Sequence, residues 1–204
     1  TSNRGLCGGF NSSIIKETSK VVEANYSNVD VDLLTIGKKG NDILTKTFNV
    51  ISNDSGVYDA LTFDNVAEIA ERIMEMFANG EYQKVEIIYN RFKNAATQIA
   101  TVEQFLPIQP LEGESNTNLD YIFEPSKGEI VLELIPKSLK TQLYKAIRDS
   151  SASEHGARMT AMHKATDNAK ELRDDLLLTY NKARQAAITG EILEIVGGAE
   201  ALNN

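Results

Sequence analysis

Apolar residues along this chain recur first at short strand and helix spacings and then, over the last third, in a single long stripe. Between Ser12 and Tyr26 the residues Ile14, Ile15, Thr18, Val21 and Val22 share one face at helical spacing, and Asn11 or Ser12 is placed to cap the first amides. This helix is expected to cover a sheet. From Asp30 to Ile36 the run of Val31, Leu33, Leu34 and Ile36 reads as a buried strand that stops at Gly37, and Thr47–Ile51 reads as a second, shorter one. Strand and helix in that rhythm predict a parallel crossover and an α/β class. A helix starting near Asp64 or Asn65 presents Val66, Ile69, Ile73, Met74 and Phe77 and should stop at Gly80. Lys84–Phe92 and Thr97–Leu106 then alternate as strands around the turn Lys93-Asn94-Ala95-Ala96, which predicts an antiparallel ribbon at a sheet edge. Pro110–Asn118 is expected to be a solvated loop, Tyr121–Phe123 a last short strand, and Glu129–Ile135 a helical turn or two that Pro136 kinks or restarts.

From Ser138 to about Ala201 there is no proline, and the stretch predicts one very long helix. Its stripe opens at Leu139, Leu143 and Ile147. It continues through Met162, Ala165, Ala169, Leu172, Leu176, Thr179, Ala183 and Ala186 in alternating steps of three and four, the heptad spacing of a left-handed coiled coil. At 1.5 Å per residue the helix would extend on the order of 90 Å and project from a domain of this size. Nothing in the chain is expected to cover the stripe, which therefore calls for a partner. Small residues bring helix axes close, whereas Thr179, Gly190 and Gly197 make the seam weaker than an ordinary zipper.

Composition narrows the possibilities. The chain has 204 residues, enough for one core and an appendage, and a net charge of -8, which argues against nucleic-acid binding because neutralising phosphates takes a basic face. No apolar run approaches the roughly 20 residues of a membrane span. Cys7 is the single cysteine, so no internal disulfide and no thiolate zinc cage can form. The loop-like start Thr1-Ser2-Asn3-Arg4-Gly5 leads us to expect a segment upstream.

Catalytic chemistry finds little support. Arg4-Gly5-Leu6-Cys7-Gly8-Gly9-Phe10-Asn11 is a glycine-rich stretch at a helix entrance, where free amides could cradle phosphate. It lacks the lysine and hydroxyl of a nucleotide loop and the spacing of a dinucleotide fingerprint, and glycines serving a tight turn and close packing are the preferred reading. His155 and His163 stand eight residues apart on the long helix, too far to share a metal ion, and Glu154 diverges from His155 around the helix. Asp174 and Asp175 read as a solvated face, and Met159 and Met162 as packing residues. We expect no catalytic, cofactor-binding or metal-ligating residues and no cofactor.

The long helix carries Ala152-Ser153-Glu154-His155-Gly156-Ala157-Arg158-Met159-Thr160-Ala161-Met162, Ala165-Thr166-Asp167-Asn168-Ala169 and Tyr180-Asn181-Lys182-Ala183-Arg184-Gln185-Ala186. It ends Ile188-Thr189-Gly190-Glu191-Ile192-Leu193-Glu194-Ile195-Val196-Gly197-Gly198-Ala199. These segments, with Arg4–Asn11, resemble the gamma subunit family of F-type ATP synthases, most strongly from Ala152 onward. The resemblance implies a Rossmann-like three-layer foot domain over residues 1–128 and a stalk helix over 129–204 forming half of an antiparallel coiled coil. The other half would be an N-terminal helix upstream of Thr1. It also implies a non-catalytic rotor that couples H+ or Na+ flow to ATP synthesis or hydrolysis on beta subunits. Its partners would be the alpha, beta and epsilon subunits and the membrane c-ring. Such a subunit is peripheral on the cytoplasmic face of a bacterial plasma membrane, or on the matrix side of the inner membrane if mitochondrial. By the same likeness Arg184 and Gln185 would meet a catch loop of a beta subunit, and Tyr121 and Glu124, in Asp120-Tyr121-Ile122-Phe123-Glu124-Pro125, would meet the ring or epsilon. Gly190 departs from the longer polar residue common in the family, and a glycine in mid-helix costs about 1 kcal/mol relative to alanine. Two other readings are an α/β nucleotide- or small-molecule-binding protein with a dimerising helix, which should bind ligand alone, and a free coiled-coil adaptor, which should self-associate.

Overall fold

A computed structural model describes residues 1–109, 124 and 126–202. In it the chain forms helices α1 (Phe10–Asn25), α2 (Lys38–Leu44), α3 (Phe63–Ala78) and α4 (Lys127–Leu202) and strands β1 (Asp32–Thr35), β2 (Asn49–Asn53), β3 (Val85–Asn94) and β4 (Thr97–Leu106), with a 3-10 turn at Ser55–Tyr58. The mixed α/β class and the long C-terminal helix agree with the expectation. Among the described residues the strands form two small sheets, β1–β2 and β3–β4. The first is parallel, with Asp32 opposite Asn49 and Thr35 opposite Asn53, and α2 lies between its strands in sequence. The second is an antiparallel hairpin with Tyr89 opposite Thr101 and Asn94 opposite Thr97, as the alternation on either side of Lys93–Ala96 predicts.

Local chemistry explains the helix ends. Thr62 caps α3, its hydroxyl accepting from the Asn65 amide at 3.3 Å, and Asp64 sits in the positive first turn. Gly80 ends the helix at φ +78, with the Glu81 amide donating to Met76 O and the Gly80 amide to Phe77 O, the double closure that a left-handed glycine permits. Ser126 accepts from the Glu129 amide at 3.2 Å at the start of α4. Pro136 lies inside α4, where a kink or a restart was expected, and α4 runs through it as one helix with no restart. The expected loop Pro110–Asn118 and strand Tyr121–Phe123 lie outside the described residues.

Two details differ from the sequence reading. Helix α1 has Gly9, which carries no side chain, at its N-cap, and the expected caps Asn11 and Ser12 lie inside the helix: Asn11 Oδ1 accepts from the Ser2 amide at 2.9 Å and its Nδ2 donates to Ser2 Oγ at 2.8 Å, while Ser12 donates to Gly9 O at 3.0 Å. The stripe opening is not orphaned either. Leu139, Leu143 and Ile147 are buried in the main core with Val66, Ile69 and Ala70 of α3, Phe105 and Leu106 of β4, and Val57. Two compact units result, Thr1–Ala161 and Met162–Asn204, so that the first unit includes the early part of α4 as well as everything before it.

Candidate functional site

Within the first unit, α4 is rooted by side chains that change character along its length. The apolar root is Leu139, Leu143, Ala146 and Ile147, each nearly inaccessible. After it the buried positions turn small and polar: Ser150, Ser153 and then Ala157. Ser153 is fully buried and donates its hydroxyl to Asn90 O at 3.0 Å. Asn90 is itself only 1% exposed in the middle of β3, and its Nδ2 donates to Phe10 O at 3.0 Å. One residue therefore joins α1, β3 and α4. Two turns further on, Thr160 places its hydroxyl 3.1 Å from Ala95 O at the hairpin turn.

Close approach makes these bonds possible. A Cβ built on Gly156 would lie 3.0 Å from Ala95 Cα and 3.3 Å from both Ala95 O and the Phe92 ring, so the glycine lets the hairpin turn rest against α4. Ser153, Gly156 and Thr160 share one helix face at i, i+3 and i+7. On another side Arg158 pairs with Glu154 one turn back, and its Nη2 donates to Arg4 O at 3.3 Å and Gly5 O at 3.2 Å. The glycine-rich turn thus offers carbonyls to a guanidinium. Its interior is filled by Cys7, Ser2 and Asn11, with Asn11 Nδ2 at 3.2 Å from Cys7 Sγ. That arrangement suits turn packing and not a phosphate cradle. Burial pushes the Tyr58 phenol well above its ordinary range, and the Glu154 carboxylate adds to the effect, so this hydroxyl beside the root stays neutral.

The second unit is a helix with a different surface. Every predicted seam position, Met162, Ala165, Ala169, Leu172, Leu176, Thr179, Ala183 and Ala186, is exposed, and so are Arg184 and Gln185. Leu172 is 60% and Leu176 59% exposed, values at which a leucine has no tertiary partner of consequence. Thr166, Thr179 and Thr189 turn their hydroxyls onto the carbonyls four residues back. Glu124 is exposed, and Tyr121 lies outside the described residues.

Among the described residues no group of His, Cys, Asp and Glu is arranged to hold a metal ion, and no helix is long and apolar enough to cross a membrane. Open grooves on the described surface include one lined by Val22, Tyr26, Phe48 and Asn49 and another lined by Leu134, Lys137 and Gln142. Neither includes the glycine-rich turn. The root of α4 escaped the sequence reading because Asn90 sits in an alternating strand where a polar residue looks solvent-facing. The available signal was the row Ser153, Gly156, Thr160, small and polar on one face of a helix.

Comparison with known proteins bears on the whole chain. Residues 1–202 match the family model described as ATP synthase. The chain is 68% identical over 203 residues to the ATP synthase gamma chain of Flavobacterium psychrophilum, covering 99% of this chain and 71% of that one. It is 61% identical over 203 residues to the ATP synthase gamma chain of Christiangramia forsetii, covering 100% and 71%. Among solved structures, a chain of the central stalk and c-ring of Tetrahymena thermophila mitochondrial ATP synthase superimposes with a TM-score of 0.60 at 28% identity, over 81% of this chain and 73% of that one. A chain of the Euglena gracilis mitochondrial ATP synthase shares the fold, with a TM-score of 0.71 at 23% identity over 99% and 70%. With its two small sheets, its long C-terminal helix and this degree of identity along its whole length, the chain belongs to the ATP synthase gamma chain family.

Proposed function

We propose that this chain is the central rotor element of an F-type ATP synthase, a non-catalytic subunit that couples transmembrane ion flow to ATP synthesis or hydrolysis at beta-subunit sites. The observation that carries the proposal is the Met162–Asn204 unit, a helix whose heptad seam is exposed along its length in a chain of this family. Leucines exposed in a row at seam spacing form a contiguous apolar stripe, which marks a surface that a partner covers. Here the covering surfaces would be an N-terminal helix, which forms the second half of an antiparallel coiled coil, and the alpha and beta subunits around it.

Coupling then needs no bond chemistry on this chain. An asymmetric helix that contacts three beta sites differently shifts the conformational population of each, and turning it passes each site through different nucleotide affinities. Arg184 is suited to hold a beta-subunit catch loop through paired hydrogen bonds to a carboxylate, with Gln185 beside it. Tyr121 and Glu124 would face the c-ring or epsilon. The subunit would be peripheral on the cytoplasmic face of a bacterial plasma membrane.

Co-expression with matching alpha and beta subunits, with and without an upstream helix, followed by native mass spectrometry tests the assignment. One copy of the chain per three alpha and three beta subunits is the expected result, and a folded chain that joins no such assembly in either case would overturn it. In the assembled complex Arg184→Ala should lower ATP turnover by roughly tenfold, the effect of losing about 1.4 kcal/mol of charge-assisted hydrogen bonding. Unchanged turnover would remove Arg184 from the catch.

A further inference from the structure

The hydrogen bonds between α4 and the β3–β4 hairpin have a mechanical consequence that follows from their directions. We infer that the joint formed by Asn90, Ser153 and Thr160 is where torque passes between α4 and the body of the Thr1–Ala161 unit, and that Ser153 and Thr160 act as positioning residues for coupling. This rests on the rotor function proposed above.

A helix that transmits rotation must be held against turning about its own axis. Apolar packing is non-directional and resists sliding only through shape. The leucine root at Leu139 and Leu143 is of that kind. Hydrogen bonds weaken steeply as they are bent, so a pair of them fixes orientation. Ser153 donates to Asn90 O of the hairpin at 3.0 Å, and the Thr160 hydroxyl lies 3.1 Å from Ala95 O of the same hairpin, a contact it shares with Gly156 O of its own helix at 3.1 Å. Seven residues separate Ser153 and Thr160, so the two attachment points lie about 10 Å apart along one face of α4 and oppose tilt as well as twist. The hairpin is in turn tied to α1 by Asn90 Nδ2 on Phe10 O. Gly156, between the two donors, brings the helix within contact of Ala95. Arg158 adds a hold on a second side through the Arg4 and Gly5 carbonyls. Ser153 and Asn90 are at most 1% exposed, so water does not compete for the bond between them.

The test uses the whole ATP synthase complex, containing its complete gamma chain, reconstituted in sealed vesicles. The double variant Ser153→Ala/Thr160→Val deletes both hydroxyls without adding bulk. ATP hydrolysis and ion uptake are measured together, first without and then against an opposing ion gradient. Assembly and unloaded hydrolysis should be retained. The ratio of slipping to coupled turnovers under load should rise roughly tenfold, the fold-change equivalent to about 1.4 kcal/mol of lost restraint, and ions moved per ATP should fall accordingly. Thr160→Ser, which keeps the hydroxyl, should behave as wild type. A variant complex whose ions per ATP under load match wild type would overturn the inference. So would a proportional fall in hydrolysis and uptake, which is the signature of a merely structural role. If the double variant does not assemble, Thr160→Val alone, at a half-buried site, is read by the same ratio. Failure of the wild-type chain to assemble would instead overturn the rotor reading, and this inference with it.

Discussion

The two stretches of α4 share one helix and one heptad-like pattern yet are stabilised in opposite ways. From Leu139 to Thr160 its inward-facing side chains are buried against α3, β4 and the hairpin, and the hydroxyls of Ser153 and Thr160 reach hairpin carbonyls, Thr160 lying equally close to Gly156 O of its own helix. From Met162 on every seam side chain is exposed, and the hydroxyls of Thr166, Thr179 and Thr189 bond back to their own helix. The same residue types thus have tertiary value in the first stretch and only local value in the second. Leucine spacing alone does not say which. The difference is made by whether α3 and β4 supply a facing surface.

The sharpest way to break this comparison is a pair of identical truncations. Leu143→Ala, at a site 3% exposed, should destabilise the chain by about 2–5 kcal/mol through lost burial and the cavity left behind. Leu176→Ala, at 59% exposure, should change it by less than about 0.5 kcal/mol. Urea unfolding of both variants measures the difference. Equal losses would mean that the second stretch has a tertiary partner in the chain after all. In the assembled complex the asymmetry should shrink, because Leu176 would then be covered.

A smaller effect is expected at Asn90. Asn90→Ala removes the donor to Phe10 O and leaves that buried carbonyl without its side-chain partner, a cost of about 1–3 kcal/mol. Hydrogen exchange should show faster opening at the start of α1 as well as in the hairpin. Exchange confined to β3 would mean that Asn90 does not join the two elements.

How much of this was visible beforehand depends on which interactions repeat in sequence. Helix α3 and the β3–β4 hairpin were legible because Val66, Ile69 and Ile73 keep helical period and because Asn94-Ala95-Ala96 separates two alternating runs. Helix α2 was not, since Lys38–Leu44 is seven residues long, contains Gly40 and has too few apolar positions to show a period. The Asn11 or Ser12 cap failed because the helix starts at Phe10 with Gly9 at its N-cap, and Asn11 bonds Ser2 instead. The heptad seam was legible as a pattern, but the point where burial ends, between Thr160 and Met162, was not. That boundary is set by the hairpin turn at Ala95, which lies some sixty residues earlier in the chain and leaves no periodic trace in the helix.

Two glycines give the smallest and most discriminating effect. A Cβ at Gly190 meets nothing within 4 Å, whereas one at Gly156 meets Ala95 Cα at 3.0 Å. Alanine is favoured over glycine in a helix interior by about 1 kcal/mol wherever the backbone is already helical. In the exposed stretch nothing opposes that gain, so Gly190→Ala should slow local amide exchange by roughly fivefold, the equivalent of about 1 kcal/mol. In the rooted stretch the same substitution must move the hairpin turn by a few tenths of an ångström, and the propensity gain should be largely offset. Exchange measured around residues 186–194 and 152–160 in the two variants separates a helix governed by its own propensity from one governed by what it touches. Equal slowing at both sites would mean that the hairpin yields freely and holds α4 less tightly than the Ser153 and Thr160 bonds imply.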